Sequence, residues 1–196
     1  VCSSDLGVSY LLPVLTDMGY SDVALTLLTQ TTFPSWLFSV EHGATTIWER
    51  WDGWTPEKGF QDPGMNSFNH YSLGSCGQWM FDSLAGVGMD SSAPAYRKLW
   101  IEPQIGGKFT EVKARVETAR GTAGSAWKLA GNKLTLDCMV PVGSTATGVL
   151  PTEKAASIRE GGKPLSEVKG VKPLRTENGR TYLSVVSGKY RFTCEK

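Results

Sequence analysis

The stretch GSAWKLAGNKLTLDCMV, residues 124–140, decides the fold of the second half of the chain. It holds two runs in which apolar and polar residues alternate, and LAGNKL between them is typical of a hairpin turn. Such alternation places the apolar side chains on one face of a strand. Other runs of this kind, or rich in β-branched residues, are 96–104, 111–118, 180–187 and 189–195. The second half is therefore predicted to be all-β, in its simplest form an antiparallel β-sandwich.

Two further turn signals divide the C-terminal runs. The Asn-Gly pair in ENGRTYL, residues 177–183, is typical of a two-residue hairpin turn. The sequence SVVSGKYRF predicts another hairpin, which turns at Ser187-Gly188. The runs on either side of that turn are thus expected to be separate strands.

The first half follows the helical period instead. In VSYLLPVLTDMGY, residues 8–20, apolar residues recur at spacings of one, three and four. Pro13 either kinks this helix or lies in its first turn. Ser21-Asp22 is typical of the start of a second helix. The first half is therefore predicted to consist of helices joined by long loops.

A third helix is predicted over residues 70–88, with Asn69 as its cap and Gly86 or Gly88 at its end. The helical period places six residues on one face: Leu73, Cys76, Gly77, Met80, Phe81 and Leu84. This face is expected to pack against other helices.

The change of pattern predicts two domains, a helical one over residues 7–95 and a β domain over residues 96–196. About four helices form one layer but leave an apolar flank exposed. We therefore expect the helical part to be the remainder of a larger α-domain, and the fold class to be that of an α+β multidomain fragment.

The first six residues, VCSSDL, lack the basic start and apolar core of a signal peptide. They match a translation of the end of a common sequencing-library adapter. We expect residues 1–6 to be non-native and the native sequence to begin near Gly7. The compartment then stays open between the bacterial cytoplasm and the periplasm.

The composition restricts the function classes. The net charge of +1 predicts neither nucleic acid nor an anionic membrane as a partner, and no apolar run approaches the ~20 residues of a membrane span. Only two histidines occur, and the cysteines are widely scattered, so neither a three-histidine zinc site nor a CxxC site is present. We expect no metal and no organic cofactor. The oligomeric state is not indicated.

The candidate chemistry lies in ATTIWERWDG, residues 44–53, where Glu49 is flanked by Trp48 and Trp51. An indole face stacks on the C–H face of a sugar ring, while a carboxylate binds hydroxyls or moves protons. The structural alternative is a helix end in which the two tryptophans pack inward and Glu49 is solvated. His70, expected at the start of the third helix, either bonds to a sugar hydroxyl or is satisfied locally.

Four motifs carry a family resemblance. They are residues 10–43, GATTIWERWDGW (43–54), MNSFNHYSLGSCGQWMF (65–81) and AYRKLWIEPQ (95–104). Together they resemble the carboxy-terminal part of bacterial α-L-rhamnosidases of glycoside hydrolase family 78. The similarity is strong from about Gly7 to Gln104 and weaker beyond.

The resemblance implies the last helices of an (α/α)6 barrel followed by a β-sandwich, and hydrolysis of terminal α-L-rhamnose from a glycoside or polysaccharide with inversion. In that family the glutamate of the TTIWE motif, here Glu49, acts as general base. The histidine of the NHY motif, here His70, contacts the sugar. Tryptophans line the rhamnose pocket, which makes Trp51 and Trp54 the weaker candidates.

An inverting glycosidase also needs a carboxylic acid as general acid. In the resembled family this acid lies in an earlier acidic and arginine-containing motif, for which residues 1–196 hold no counterpart. The chain alone is therefore expected to be inactive. Two alternatives stay open: a non-catalytic carbohydrate-binding or structural module, and another (α/α)6-barrel glycosidase, such as one acting on glucosides.

Overall fold

The structure is a computed structural model that describes the backbone of residues 3–196 and the side chains of residues 7–196. Val1 and Cys2, two of the six residues predicted to be non-native, lie outside the described residues. The other four belong to the first helix. The non-native origin of residues 1–6 stays a prediction.

The described helices lie in the first half of the chain, as predicted. They are α1 (Ser3–Asp17), α2 (Ser21–Thr29), α3 (Trp36–Glu41), α4 (Tyr71–Gly74) and α5 (Cys76–Trp79).

The chain forms two compact units. The helical unit holds the residues up to Trp79 together with Gly106–Lys108, and the β unit holds Met80–Ile105 and Phe109–Lys196. The domain boundary between residues 95 and 96 stays a prediction.

Helix α1 is the centre of the helical unit, where it packs against α2, α4 and α5. Its Leu12 is fully buried, and its Thr16 hydroxyl accepts a hydrogen bond of 2.8 Å from the Trp79 indole N–H. Because a buried indole N–H needs a partner, this bond fixes α5 against α1. The opposite side of α1 carries the expected apolar flank, in which Tyr10, Leu11 and Val14 are exposed, and Met18, just after the helix, is exposed as well.

The third predicted helix is broken where the sequence predicted one continuous element. At Ser75 the main chain makes i→i+3 bonds, while the Ser75 hydroxyl donates to the Ser72 carbonyl at 2.6 Å. A π-helical turn, Met80–Leu84, follows α5. Leu73, Cys76 and Leu84 are buried as the predicted face requires, but the prediction is wrong for Met80 and Phe81, which lie in the π turn. Met80 and Phe81 are 40% and 45% exposed.

The β strands follow the predicted runs closely. The short pair β1 (Trp54–Thr55) and β2 (Gly59–Phe60) belongs to the helical unit. The β unit holds β3 (Val87–Met89), β4 (Lys98–Ile101), β5 (Glu111–Thr118), β6 (Gly121–Ala130), β7 (Lys133–Leu150), β8 (Arg159–Glu160), β9 (Lys163–Pro164), β10 (Val171–Glu177) and β11 (Arg180–Glu195). The predicted turns in LAGNKL and at Asn178-Gly179 are confirmed as the β6–β7 and β10–β11 hairpins.

Strands β7 and β11 are long and antiparallel, and they connect the rest of the β-sandwich. Residues 188–195 of β11 pair with residues 133–140 of β7, and residues 181–186 pair with residues 145–150. Strand β4 pairs with β7 in parallel. The predicted β-sandwich is antiparallel at its other strand pairs but not at this one. Parallel pairing is possible because the connection from β4 to β7 is long.

The hairpin predicted at Ser187-Gly188 is wrong, because β11 continues through these residues with a β-bulge. Buried positions are odd-numbered before the bulge, as at Leu183 and Val185, and even-numbered after it, as at Phe192. Between the pairs Val186–Thr145 and Gly188–Val140, β11 advances by two residues and β7 by five, so the register shifts by three residues. A shift by an odd number changes which side chains face the core. Gly188 takes a φ of 152° at the bulge, a conformation that suits glycine.

Replacing Gly188 with alanine is expected to lower the free energy of unfolding by about 1–3 kcal/mol. The main-chain conformation there disfavours a Cβ, which would also lie 3.1 Å from the Tyr190 ring. Urea unfolding followed by circular dichroism measures the change. The control is Gly88→Ala, because a Cβ at Gly88 meets its nearest atom, Trp100 Cβ, at an ordinary 3.7 Å. Equal midpoints for the two variants would contradict this account of the bulge.

Candidate active site

Glu49 lies in an irregular segment between α3 and β1, so the helix end in the structural alternative is wrong, although Trp48 is buried as that alternative expected. Its side chain is only 12% exposed, and its Oε2 accepts a hydrogen bond of 2.7 Å from the Ser67 main-chain N–H. The Glu49 N–H in turn donates to the Ser67 carbonyl at 2.8 Å. Two bonds to one residue therefore fix both the main chain and the carboxylate of Glu49.

The same pair of segments brings His70 to Glu49. The His70 N–H donates to the Ile47 carbonyl at 2.9 Å, and the Thr46 hydroxyl donates to the Phe68 carbonyl. Segment 46–49 is thus joined to segment 67–70 by main-chain and side-chain bonds. As a result His70 Nε2 lies 3.9 Å from Glu49 Oε1, the carboxylate oxygen that Ser67 does not hold. This distance exceeds that of a direct hydrogen bond.

His70, not Asn69 as predicted, is the cap of helix α4. Its Nδ1 accepts a hydrogen bond of 3.3 Å from the Ser72 N–H. A nitrogen that accepts a hydrogen bond carries no proton, so the proton of the neutral ring sits on Nε2. The imidazole therefore presents an N–H group on the side of Glu49, while its ring stacks on Tyr71 at 4.9 Å.

The tryptophans predicted to line the pocket have other neighbours. Trp51 packs edge-to-face on Trp36, with ring centroids 5.0 Å apart. Trp54 lies 5.6 Å from the His42 ring. Arg50 forms a two-bond ion pair with Asp52, both bonds being 3.0 Å. The structure thus brings Glu49 and His70 together, and the sugar-binding role of both tryptophans stays a prediction.

A loop return positions Ser67. The Asn66 amide donates to the Gly53 carbonyl at 2.9 Å, and a Cβ on Gly53 would lie 2.6 Å from Asn66 Oδ1. Only glycine permits this close approach. Ser67 and Ser72 carry no signal in the sequence, since each acts through a main-chain N–H that any residue except proline supplies.

The described residues hold no group of three or more His, Cys, Asp or Glu that is arranged to bind a metal ion. The described thiols are free and buried. Burial raises the pKa of Cys76, and it raises the pKa of Cys138 to about 12 and of Cys194 to about 11. Since the thiolate is the reactive form, none of the three suits nucleophilic catalysis. None of the helices in the described part of the chain is long and apolar enough to cross a membrane.

Residues 3–84 match the family model of the bacterial α-L-rhamnosidase 6 hairpin glycosidase domain, and residues 88–164 match that of the bacterial α-L-rhamnosidase C-terminal domain. The chain belongs to the bacterial α-L-rhamnosidase family. The first match agrees with the helices of a partial (α/α)6 barrel and the second with the β-sandwich, so the fold class expected from the resemblance is confirmed.

Two relatives show the extent of the similarity. An α-L-rhamnosidase of Streptomyces avermitilis is 39% identical over 188 residues, which make up 96% of this chain and 17% of the relative. One of Formosa agariphila is 32% identical over 187 residues, or 95% of this chain and 20% of the relative. The chain therefore spans about a fifth of the length of the rhamnosidases it matches.

Solved rhamnosidase structures share the fold. The crystal structure of the Streptomyces avermitilis α-L-rhamnosidase complexed with L-rhamnose superposes with a TM-score of 0.87 at 39% identity, covering 97% of this chain and 18% of that one. The α-L-rhamnosidase from Dictyoglumus thermophilum gives 0.80 at 33% identity, covering 97% of this chain and 21% of its own. The likeness extends over both units of this member of the rhamnosidase family.

The two histidines of the chain are expected to hold opposite tautomers in one nitrogen-15 NMR spectrum at pH 8. His70 Nδ1 accepts from Ser72, so its proton lies on Nε2. His42 Nδ1 lies 2.8 Å from the Phe38 carbonyl, which only accepts, so its proton lies on Nδ1.

Ser72→Pro removes the donor to His70 and is expected to mix the tautomers of His70 alone, whereas Ser72→Ala keeps the N–H and the single tautomer. A His70 ring protonated at Nδ1 in the unmodified chain would contradict the assigned geometry.

Proposed function

We propose that this chain carries the general base and part of the sugar site of an inverting glycosidase that removes terminal α-L-rhamnose. The observation that carries the proposal is the Glu49–His70 pair: one carboxylate oxygen is held by Ser67 at 2.7 Å, and the other lies 3.9 Å from a histidine N–H. Membership of the rhamnosidase family supports the substrate class. The Streptomyces relative was solved with L-rhamnose bound.

In the proposed reaction Glu49 activates a water molecule. Oε1 accepts a proton from the water as the water oxygen forms a bond to the anomeric carbon of rhamnose. The glycosidic C–O bond breaks, and the leaving oxygen takes a proton from a separate carboxylic acid. Attack from the face opposite the leaving group inverts the anomeric centre. His70 Nε2–H donates to a hydroxyl of the sugar beside this water, and Trp51 and Trp54 contribute to the walls of the rhamnose pocket.

The geometry suits a base held in place. A carboxylate whose second oxygen is fixed by a main-chain N–H keeps its orientation when the first oxygen gains a proton. The base and acid of an inverting glycosidase lie roughly 6.5–9.5 Å apart, with water between them. We propose that the general acid lies in a part of the rhamnosidase fold outside the region that this chain matches. The chain alone then does not turn over substrate.

Glu49→Gln is expected to lower kcat by about 10²–10⁴-fold, because an amide cannot accept the proton of water. The measurement uses a chimera in which this chain replaces the matching region of the Streptomyces avermitilis enzyme, with an aryl α-L-rhamnoside as substrate. L-rhamnose affinity should change only a few-fold. Glu57→Gln, at an exposed loop position, is the control and should keep kcat.

Unchanged turnover in the Glu49→Gln chimera would instead support a non-catalytic module, and a preference for an aryl D-glucoside would support a glucoside-acting enzyme. The unfused chain should release no L-rhamnose. Glu49-dependent release by the unfused chain would overturn the proposal that it lacks the acid.

Ser67→Pro in the same chimera is expected to lower kcat on the order of ten-fold with little change in KM, because it removes the N–H that holds Glu49 Oε2. Ser67→Ala keeps that N–H and should keep kcat. An equal loss in both variants would show that the Ser67 hydroxyl, which lies 3.2 Å from the Asn69 carbonyl, is the group that matters. Circular dichroism verifies that each variant is folded.

A further inference from the structure

The outward face of β5, β6, β7 and β11 forms a trough of about 570 Å³ in the β unit. Two rows of directly paired residues cross it from β5 to β11. The rows are Arg115, Gly124, Met139 and Lys189, and Lys113, Ala126, Asp137 and Arg191. Residues paired in this way across antiparallel strands present their side chains on one face of the sheet. The two rows therefore make up one continuous surface.

The trough is concave because its residues differ in size across the sheet. Gly124 and Ala126 on β6 form a low floor, while the long side chains of the neighbouring strands rise on both sides of it. A Cβ on Gly124 would lie 3.6 Å from Arg115 Cγ and 3.7 Å from Met139 Cβ. Any larger residue on the floor would fill the space. Three strand spacings give a width of roughly 14 Å, which suits a short oligosaccharide.

The walls carry an excess of positive charge. Four basic side chains, those of Lys113, Arg115, Lys189 and Arg191, line the trough with only two acidic ones, those of Asp137 and Glu160. The Asp137 carboxylate already forms an ion pair with Arg191, with bonds of 2.6 and 2.9 Å. Within the described part of the chain, the other three basic residues form no ion pair. The net charge of the residues that line the trough is therefore more positive than the net charge of +1 of the whole chain.

We propose that this trough binds a saccharide that carries carboxylates, such as a short run of uronate units. An arginine fork and lysine ammonium groups bind carboxylates, and the Asp137–Arg191 pair offers polar atoms to hydroxyls. The volume lies within the range of small-ligand sites. Among the described residues that line the trough, Tyr190 is the only aromatic one, and its ring stacks on Phe192. The trough therefore has no series of aromatic platforms for successive bases, on which single-stranded nucleic acid binding depends.

The ligand class rests on the proposed function, since an enzyme that trims rhamnose from acidic polysaccharides would gain substrate affinity from a second contact. The trough then holds uronate units of the polysaccharide that carries the rhamnose. Binding to the trough requires no turnover, so it is measured on this chain directly. If the trough binds no acidic saccharide, the result expected for the Glu49→Gln chimera does not change. If Glu49 proves not to be the base, the result expected for binding to the trough does not change either.

The test titrates the nitrogen-15-labelled chain with trigalacturonate and, separately, with the neutral trisaccharide galactotriose. Trigalacturonate is expected to shift amide signals of β5, β6, β7 and β11 in a saturable way that weakens with added NaCl. The variant Arg115→Glu/Lys189→Glu should weaken binding at least ten-fold, and Arg115→Gln/Lys189→Gln should also weaken it. The single variant Arg115→Glu should also weaken binding, whereas Lys172→Glu on β10, the same charge change at an exposed site outside the trough, should have little effect.

Four results would overturn the proposal. They are the absence of localised shifts, equal binding of galactotriose, an equal loss in Lys172→Glu, and equally tight binding of single-stranded DNA through the same residues. The last two results would identify a general polyanion effect rather than a saccharide site. The glutamine variant keeps the test decisive if charge reversal disturbs folding.

Discussion

The hydrogen bonds between segments 46–49 and 67–70 are the constraint on which the candidate site depends. They join the segment before β1 to the segment after β2 and fix Glu49 and His70 side by side although these residues are well separated in the sequence. The bonds are mostly to main-chain atoms, so their geometry follows the path of the chain. A carboxylate held in this way needs no rearrangement when it takes up a proton, which is the requirement for a general base.

The surroundings of the site support this constraint. Asn66 closes the loop on Gly53, and the Trp36 indole N–H donates to the Leu73 carbonyl at 2.8 Å, which holds helix α4 in place. Helix α4 in turn supplies the Ser72 N–H that fixes the tautomer of His70. Buried polar groups of this kind are costly to leave unpaired. The bond that holds α4 in place therefore also fixes the position of the Ser72 N–H that His70 uses. Trp36 thus stabilises the position of α4 and, through it, that of His70.

The β unit depends on a different constraint, the continuous pairing of β7 with β11. The bulge at Gly188 changes which residues of β11 are buried, and it lets one strand supply apolar side chains in both of its halves. The same pairing aligns Asp137 with Arg191 and Met139 with Lys189. The charged trough on the outward face therefore follows from the register of the long strands.

The sequence by itself determined the strands at 111–118 and 124–130, the Asn178-Gly179 hairpin and the family. It also identified the TTIWE glutamate and the NHY histidine as candidate site residues. Alternation and turn chemistry act within a few residues, so they are readable locally. Only the tertiary structure decided that Ser187-Gly188 is a bulge, because a Ser-Gly pair fits both a turn and a bulge and the choice depends on β7. Likewise, main-chain N–H groups hold Glu49 and His70, and side-chain identity does not reveal which N–H group lies nearby.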